Sequence, residues 1–183
     1  MKINIIGTSG SGKSTLCRQL SLLLNVPAIE LDNLFWLANW QPSTDEELTF
    51  KLSQALEQAP SGWVLDGNYT RTQAIKWKNV NMVVWLDYSL SRTLYQSVTR
   101  TLSRIRSQEE LWPNTGNREN WKKAFFSRDS IILWTLKTYH QNKQRNLKHM
   151  ANLDLRHIHF IRLTSPKETA LFLAQMRRQI QPV

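Results

Sequence analysis

The residues best suited to chemistry lie near the start. Gly7-Thr8-Ser9-Gly10-Ser11-Gly12-Lys13-Ser14-Thr15 carries the spacing G-x-x-x-x-G-K-S of a phosphate-binding loop. Glycines so spaced let the backbone curl until successive amide N–H groups point inward at a polyphosphate, and the helix that follows adds its positive dipole end. On this reading Gly7, Ser9, Gly10, Ser11 and Gly12 line the phosphates. Lys13 reaches the β- and γ-phosphates and offsets the charge that builds up there, Ser14 offers its hydroxyl to Mg²⁺, and Thr15 holds the α- or β-phosphate. The expected ligands are ATP or GTP with Mg²⁺. A flexible Gly/Ser turn is the competing reading, but it does not account for Lys13 at the point where a helix begins.

The flanks supply the context the motif needs. Residues 2–6 form a short apolar run, and leucines at 16, 20, 23 and 24 mark a helix directly after the loop. Further strand-like runs fall at 27–31, 63–65, 82–86 and 158–163. Between them, Ser43 and Glu46 have capping-box spacing, and Leu48, Leu52, Ala55, Leu56 and Ala59 recur at helical intervals. Leu90, Leu94, Val98, Leu102 and Ile105 make another apolar stripe, a long helix is expected over about 121–150, and Pro166 opens a last one through about 177. Alternating strands and helices predict an α/β, three-layer architecture with a parallel sheet. Ligands on such sheets sit beyond the C-terminal strand ends, so chemistry should be sought there.

Carboxylates stand at three of those ends. Asp66 follows an apolar strand and precedes Gly67, as an acid that holds Mg²⁺ would, although Asp-Gly is also a common turn pair. Asp32 sits where an acceptor substrate would lie. It could orient or deprotonate a hydroxyl, an effect typically worth ~10²–10⁴ in rate. It could also be a second water-mediated metal contact or a helix cap. Asp87 precedes Tyr88-Ser89 and a helix, so capping is the favoured account and it is left out of the site.

Here a resemblance becomes specific. Gly62-Trp63-Val64-Leu65-Asp66-Gly67 resembles the strand-three segment of adenylate-kinase-like small-molecule kinases. Asp32-x-x-x-Trp36-x-x-x-Trp40 with Asp66-Gly67-Asn68-Tyr69 is similar to a bacterial branch of that group, often labelled DNA topology modulation proteins or uncharacterised kinases. The resemblance runs from the phosphate-binding loop to Leu163-Thr164-Ser165-Pro166. It implies a P-loop NTPase fold with a five-stranded parallel sheet of order 2-3-1-4-5, a helical lid after strand four, and Ser165 and Pro166 beside the adenine. Adenylate kinases proper follow their strand-three Asp-Gly with an aromatic, a proline and an arginine that grips the acceptor phosphate. Here Asn68-Tyr69-Thr70-Arg71 takes that stretch, with Arg71 one position later and no proline, and adenylate kinases also lack an acid matching Asp32. Both departures leave room for a hydroxyl acceptor.

Phosphoryl transfer needs positioning and cationic stabilisation. Arg100, Arg104, Arg118 and Arg128 are candidates, and Arg100 and Arg104 share a helix face just before a mobile lid expected at about 107–127. Resemblance places lid arginines here, and Arg100, Arg104 and Arg128 are carried forward. Trp36 and Trp40, spaced i and i+4, would share a helix face above the acceptor pocket, either stacking on a base or sugar or plugging that helix onto the core. Tyr69 and Arg71 are further acceptor contacts. Trp63, Trp85 and Trp134 are expected in the core, and Trp112 and Trp121 in the lid. The four histidines show no zinc-like spacing, and the single Cys17 reads as packing.

With 183 residues the chain is expected to be one domain. It shows no signal peptide and no apolar stretch long enough to span a membrane, which makes a cytoplasmic location the expectation. Its net charge of +10 is uneven: residues 1–91 hold 7 Lys/Arg against 8 Asp/Glu (−1), and residues 92–183 hold 17 against 6 (+11). Arginines closing over polyphosphate and solvated helix faces account for this better than nucleic-acid binding. The combined expectation is an ATP- and Mg²⁺-dependent kinase acting on a small acceptor: nucleotide, nucleoside or another hydroxyl metabolite. The alternatives are a nucleic-acid-associated NTPase or regulator using the basic half, and a nucleotide-binding regulator without turnover. Oligomeric state is not legible.

Overall fold

Apolar runs with no polar alternation belong in a sheet buried on both faces, and the computed structural model, which describes residues 1–127 and 130–180, builds one. Five parallel strands, β1 (Lys2–Gly7), β2 (Ala28–Glu30), β3 (Trp63–Asp66), β4 (Met82–Leu86) and β5 (His159–Leu163), pair in the order β2-β3-β1-β4-β5. The register sets Ile5 beside Asp66 and Val84, which brings the ends of β1, β3 and β4 to one edge. Helices fill both faces: α1 (Lys13–Leu24), α2 (Leu31–Phe35), α3 (Asp45–Glu57), α4 (Gln73–Trp77), α5 (Leu90–Ser107), α6 (Ile131–Ala151) and α7 (Pro166–Ile180). This is the α/β fold of P-loop NTPases.

The two sheet faces make two cores. Ile3, Ile5, Val64 and Val84 pack with Leu16, Cys17 and Leu20 of α1 and with Phe172 and Met176 of α7. Leu65, Val83 and Trp85 face the other way, against Leu31, Leu48, Leu52 and Trp77. Cys17 lies wholly inside, its Sγ in contact with the Val64 carbonyl. No helix among the described residues is long and apolar enough to cross a membrane.

Several local expectations need correction. The capping box is Thr44 with Glu47, one residue later than expected, because Ser43 is buried and tied to the Leu34 and Phe35 carbonyls. Asp87 does not cap α5. Ser89 does, while Asp87 accepts from both Nε and Nη2 of Arg162 and pairs with Lys143. The long helix is divided: a π-helical turn covers Lys122–Phe126 and α6 starts at Ile131. Trp63 and Trp85 are core residues as expected, but Trp134 is 59 % exposed. Thr135 and Tyr139 mark the inward face of α6, and Trp134 is rotated about 100° from Thr135.

The most informative correction concerns α5. Its expected apolar stripe is only partly covered, and Leu102 is exposed; the buried positions are Thr93, Ser97, Thr101 and Ile105. The reason is its neighbour. A Cβ on Gly10 would lie 2.8 Å from the Thr93 carbonyl oxygen and 3.0 Å from Ser97 Cβ, so this helix rests on bare loop backbone through its smallest side chains.

Candidate functional site

The loop after β1 is held in a shape that only glycine tolerates. Gly10 and Gly12 have φ of +84° and +92°, the left-handed region that disfavours side chains. Gly12 caps α1, so Lys13 and Ser14 begin the helix with their N–H groups still facing the loop. Ser11 N–H closes a turn onto the Thr8 carbonyl, and Lys13 Nζ folds back over the loop to the same oxygen at 3.3 Å. Ser11 is buried and its Oγ lacks a hydrogen-bond partner, whereas Thr15 is exposed and Ser9 half-buried.

Asp66 comes to this loop from the end of β3. Its Oδ2 accepts a 2.5 Å hydrogen bond from Ser14 Oγ, while Oδ1 is buried without a partner. Burial pushes its carboxyl above the usual range, and Lys13 and the Ser14 hydroxyl oppose that shift. A serine hydroxyl and an incompletely satisfied carboxylate beside a lysine form a donor set of hard oxygens, which suits Mg²⁺. These residues fit the ion that the fold implies.

The four residues after Leu65 each reach a different partner. Asp66 meets Ser14, and the Gly67 N–H bonds the Ile5 carbonyl. Asn68 accepts from the Gly7 N–H at 2.9 Å and donates to the Gly7 carbonyl at 2.5 Å, which clamps the mouth of the phosphate loop. Tyr69 donates its hydroxyl to Asp32 Oδ1 at 2.7 Å. Beneath them lies Lys76, 2 % exposed, donating to the Gly67 carbonyl at 3.0 Å and the Tyr69 carbonyl at 3.3 Å. Burial lowers its ammonium from the ordinary 10.5 to about 7, with Arg145 lowering it further and Asp66 opposing. Asn4 adds Nδ2 contacts to the Leu65 and Gly67 carbonyls and accepts from Trp77 Nε1.

Asp32 lies inside α2, whose cap position is Glu30, so it is no cap. Burial first, then the Asp32 charge and hydrogen bond, push the Tyr69 phenol far above its ordinary value, which keeps that hydroxyl a proton donor. The i, i+4 helix face expected for Trp36 and Trp40 does not form, because α2 ends at Phe35 and Trp36 is extended. Their rings meet by another route. Trp112 stacks on Trp36 at 5.3 Å and meets Trp40 edge-on at 5.2 Å. Asn117 fastens the same contact, donating to the Leu37 carbonyl and accepting from the Trp40 N–H. Arg71 is turned away. It pairs with Asp45 of α3 and lies over the rings of Phe35 and Tyr69.

Arg100 reaches the centre from α5. Burial lowers its guanidinium, Arg104 adds to that, and Asp32, Glu119 and Asp66 oppose it; its buried Nε lacks a hydrogen-bond partner. Arg104, one turn on, is half-buried. Arg128 lies outside the described residues. Ser165 and Pro166 stand at the end of β5, where Ser165 caps α7 and exchanges hydrogen bonds with Glu168. An open cavity of about 560 Å³ lies between Lys2, Ser61, Lys78, Asn81 and His157, at the opposite edge of the sheet, and shares no residue with this site.

Sequence reasoning missed Lys76, Asn68 and Asn4. The only signal for Lys76 was a lone cation in Ala74-Ile75-Lys76-Trp77; Asn68 was visible only as part of a run, and Asn4 only as a polar break in the first strand. A family model described as "AAA domain" matches residues 3–120, well over half of the chain. Those residues span the phosphate loop, Asp32, the 66–69 run, Arg100 and Trp112. No curated protein matches the chain.

Proposed function

The chain belongs to the AAA-domain family of P-loop NTPases, which includes small-molecule kinases, and from that premise we propose that it is an ATP-dependent phosphotransferase acting on a small acceptor. The observation that carries this reading is the 66–69 run. It joins Ser14 and Gly7 on the donor side to Asp32 on the acceptor side by direct hydrogen bonds, so both ends of a transfer are held on one short rod. A plain nucleotide switch needs no such second end.

Roles follow from position. Main-chain amides of Ser9, Gly10, Gly12 and Lys13 bind the triphosphate, those of Gly7 and Ser11 being held by Asn68 and the Thr8 carbonyl, and the Lys13 ammonium leaves the Thr8 carbonyl to meet the β- and γ-phosphates. Ser14 and Asp66 would hold Mg²⁺, which supplies charge neutralisation between the phosphates. Arg100, already desolvated and set among carboxylates, gains a partner when the transferring group carries charge past it, and Arg104 supports it. Asp32, oriented by Tyr69, receives the acceptor. Ser165 and Pro166 border the base. The lid of about 107–127, whose Trp112 meets Trp36 and Trp40, excludes water, so that the phosphoryl group goes to the acceptor rather than to solvent.

The test is calorimetry with Mg²⁺–ATP followed by transfer of a labelled γ-phosphate to a panel of small molecules. Micromolar uptake and a labelled product are expected. Lys13→Met should reduce transfer by at least about a hundredfold with its fold intact by circular dichroism. No uptake of nucleotide by folded protein would sink the reading.

A further inference from the structure

Resting on that phosphotransfer reading, we propose that Lys76 is a positioning residue for the transfer: its ammonium sets the backbone of the 66–69 run so that Asn68 meets the phosphate loop and Tyr69 meets Asp32. The Gly67 carbonyl belongs to the peptide that enters Asn68, and the Tyr69 carbonyl to the peptide that leaves Tyr69. Both accept from Lys76 Nζ, at 3.0 and 3.3 Å. The two pinned peptide planes therefore bracket the two side chains that reach Gly7 and Asp32. Other groups hold one plane each. Asn4 Nδ2 lies 3.4 Å from the Gly67 carbonyl, and Thr72 donates to the Tyr69 carbonyl from its N–H and its hydroxyl. Among the described residues only Lys76 spans both.

The run needs a hold from outside because it turns on a glycine. Gly67 has a φ of +149°, and a Cβ there would lie 2.6 Å from Cδ1 of Leu31, the residue before Asp32. The bare Cα allows this close approach to α2 but brings no backbone preference of its own. The aim of Asn68 and Tyr69 is thus fixed by contacts on the flanking peptides. Stability alone does not account for a charged side chain in that place. Lys76 is 2 % exposed, has no carboxylate partner among the described residues, and stands beside Arg145, which bonds Thr70 and Asn142. A buried ammonium next to a second cation costs folding energy that an apolar chain of similar length would not. In return it makes charge-assisted hydrogen bonds, which hold a carbonyl more firmly than a neutral donor does. Removing the ammonium should therefore loosen the donor end and the acceptor end together, although it bonds neither Gly7 nor Asp32.

The experiment compares the whole native protein with Lys76→Met by amide hydrogen exchange and by transfer of label from Mg²⁺ and γ-labelled ATP. The Gly7 N–H is held by the Asn68 side chain, so its exchange reports the clamp directly. In Lys76→Met it should exchange at least about tenfold faster relative to the amides of Ile5 and Val84 in the same sheet. Transfer should fall at least about tenfold in kcat, with the ATP KM raised less than about threefold. Adding Asn68→Ala to Lys76→Met should lower kcat no further than the more damaging single change, because one side chain acts through the other. Lys76→Gln, which keeps an N–H₂ donor, should recover part of both effects, and it takes the place of the apolar variant if that one does not fold. Gly7 exchange that follows Ile5 and Val84 overturns the proposal, as does an unchanged kcat. Native protein that takes up no Mg²⁺–ATP in the calorimeter defeats the phosphotransfer reading instead, and the exchange comparison still decides whether Lys76 sets the run.

Discussion

Lys76 shows how one side chain couples stability to the site. Its ammonium has no carboxylate partner among the described residues, and it holds the Gly67 and Tyr69 carbonyls from below. Because its folded value lies near 7 and its ordinary value is 10.5, the unfolded chain keeps a proton that the folded chain sheds between those limits. More protons on the unfolded state make stability rise with pH. The rise can reach about 1.4 kcal/mol per pH unit. Above pH 9 the buried Cys17 thiol, pushed up chiefly by burial, works in the opposite direction, so the clean window is pH 7 to 9. Urea denaturation across that window should show stability climbing in the native protein and nearly flat in Lys76→Met. Equal slopes would mean the ammonium is not held as described. Asp66 has the converse sign. Its raised carboxyl keeps a proton that the unfolded chain has lost, so near neutral pH it costs stability. That cost is relieved when a cation binds beside it.

At the scale of elements, the contact of α5 with the phosphate loop controls the site's geometry. Thr93 and Ser97 leave just enough room for Gly10, so Gly10→Ala must both strain a φ of +84° and push the helix away. The expected cost is about 1–3 kcal/mol in chemical denaturation. Nucleotide affinity should fall with it, because the same backbone lines the phosphates in the proposed site. This contact also shows what the sequence could and could not express. The strands were legible because β3 and β4 are buried on both faces and read as unbroken apolar runs, and the loop because glycine spacing reports backbone shape directly. The inward face of α5 was not, since a helix packed on bare backbone selects small hydroxyls that periodicity counts as solvent-facing. Asp32 and Tyr69 were legible singly from their places after strands, but their hydrogen bond was not, because it joins residues 37 apart in sequence. Trp36 and Trp40 carried helical spacing and still left the helix. Pro42, bridged to Trp36 across a short 3-10 turn at Ala38–Trp40, ends the pattern that the tryptophans suggest.

For the whole molecule, one ligand should draw the halves together. In the proposed site the basic second half supplies Arg100 and Arg104, and the near-neutral first half supplies the loop and the carboxylates. Mg²⁺–ATP at a hundred times its Kd should stabilise the fold by about 2.7 kcal/mol, a rise in Tm of roughly 5–10 °C for a chain this size. Thermal denaturation with and without nucleotide measures this, and a rise below about 2 °C would show that the polyphosphate does not engage the folded state. The clustered indoles of Trp36, Trp40 and Trp112 have a practical consequence. Chromophores this close couple their strong far-ultraviolet transitions, so the paired dichroic signal this produces depends on the angle between them and vanishes when they part. The protein therefore carries its own optical gauge of whether the proposed lid is docked, readable in a stopped-flow cell without any attached dye.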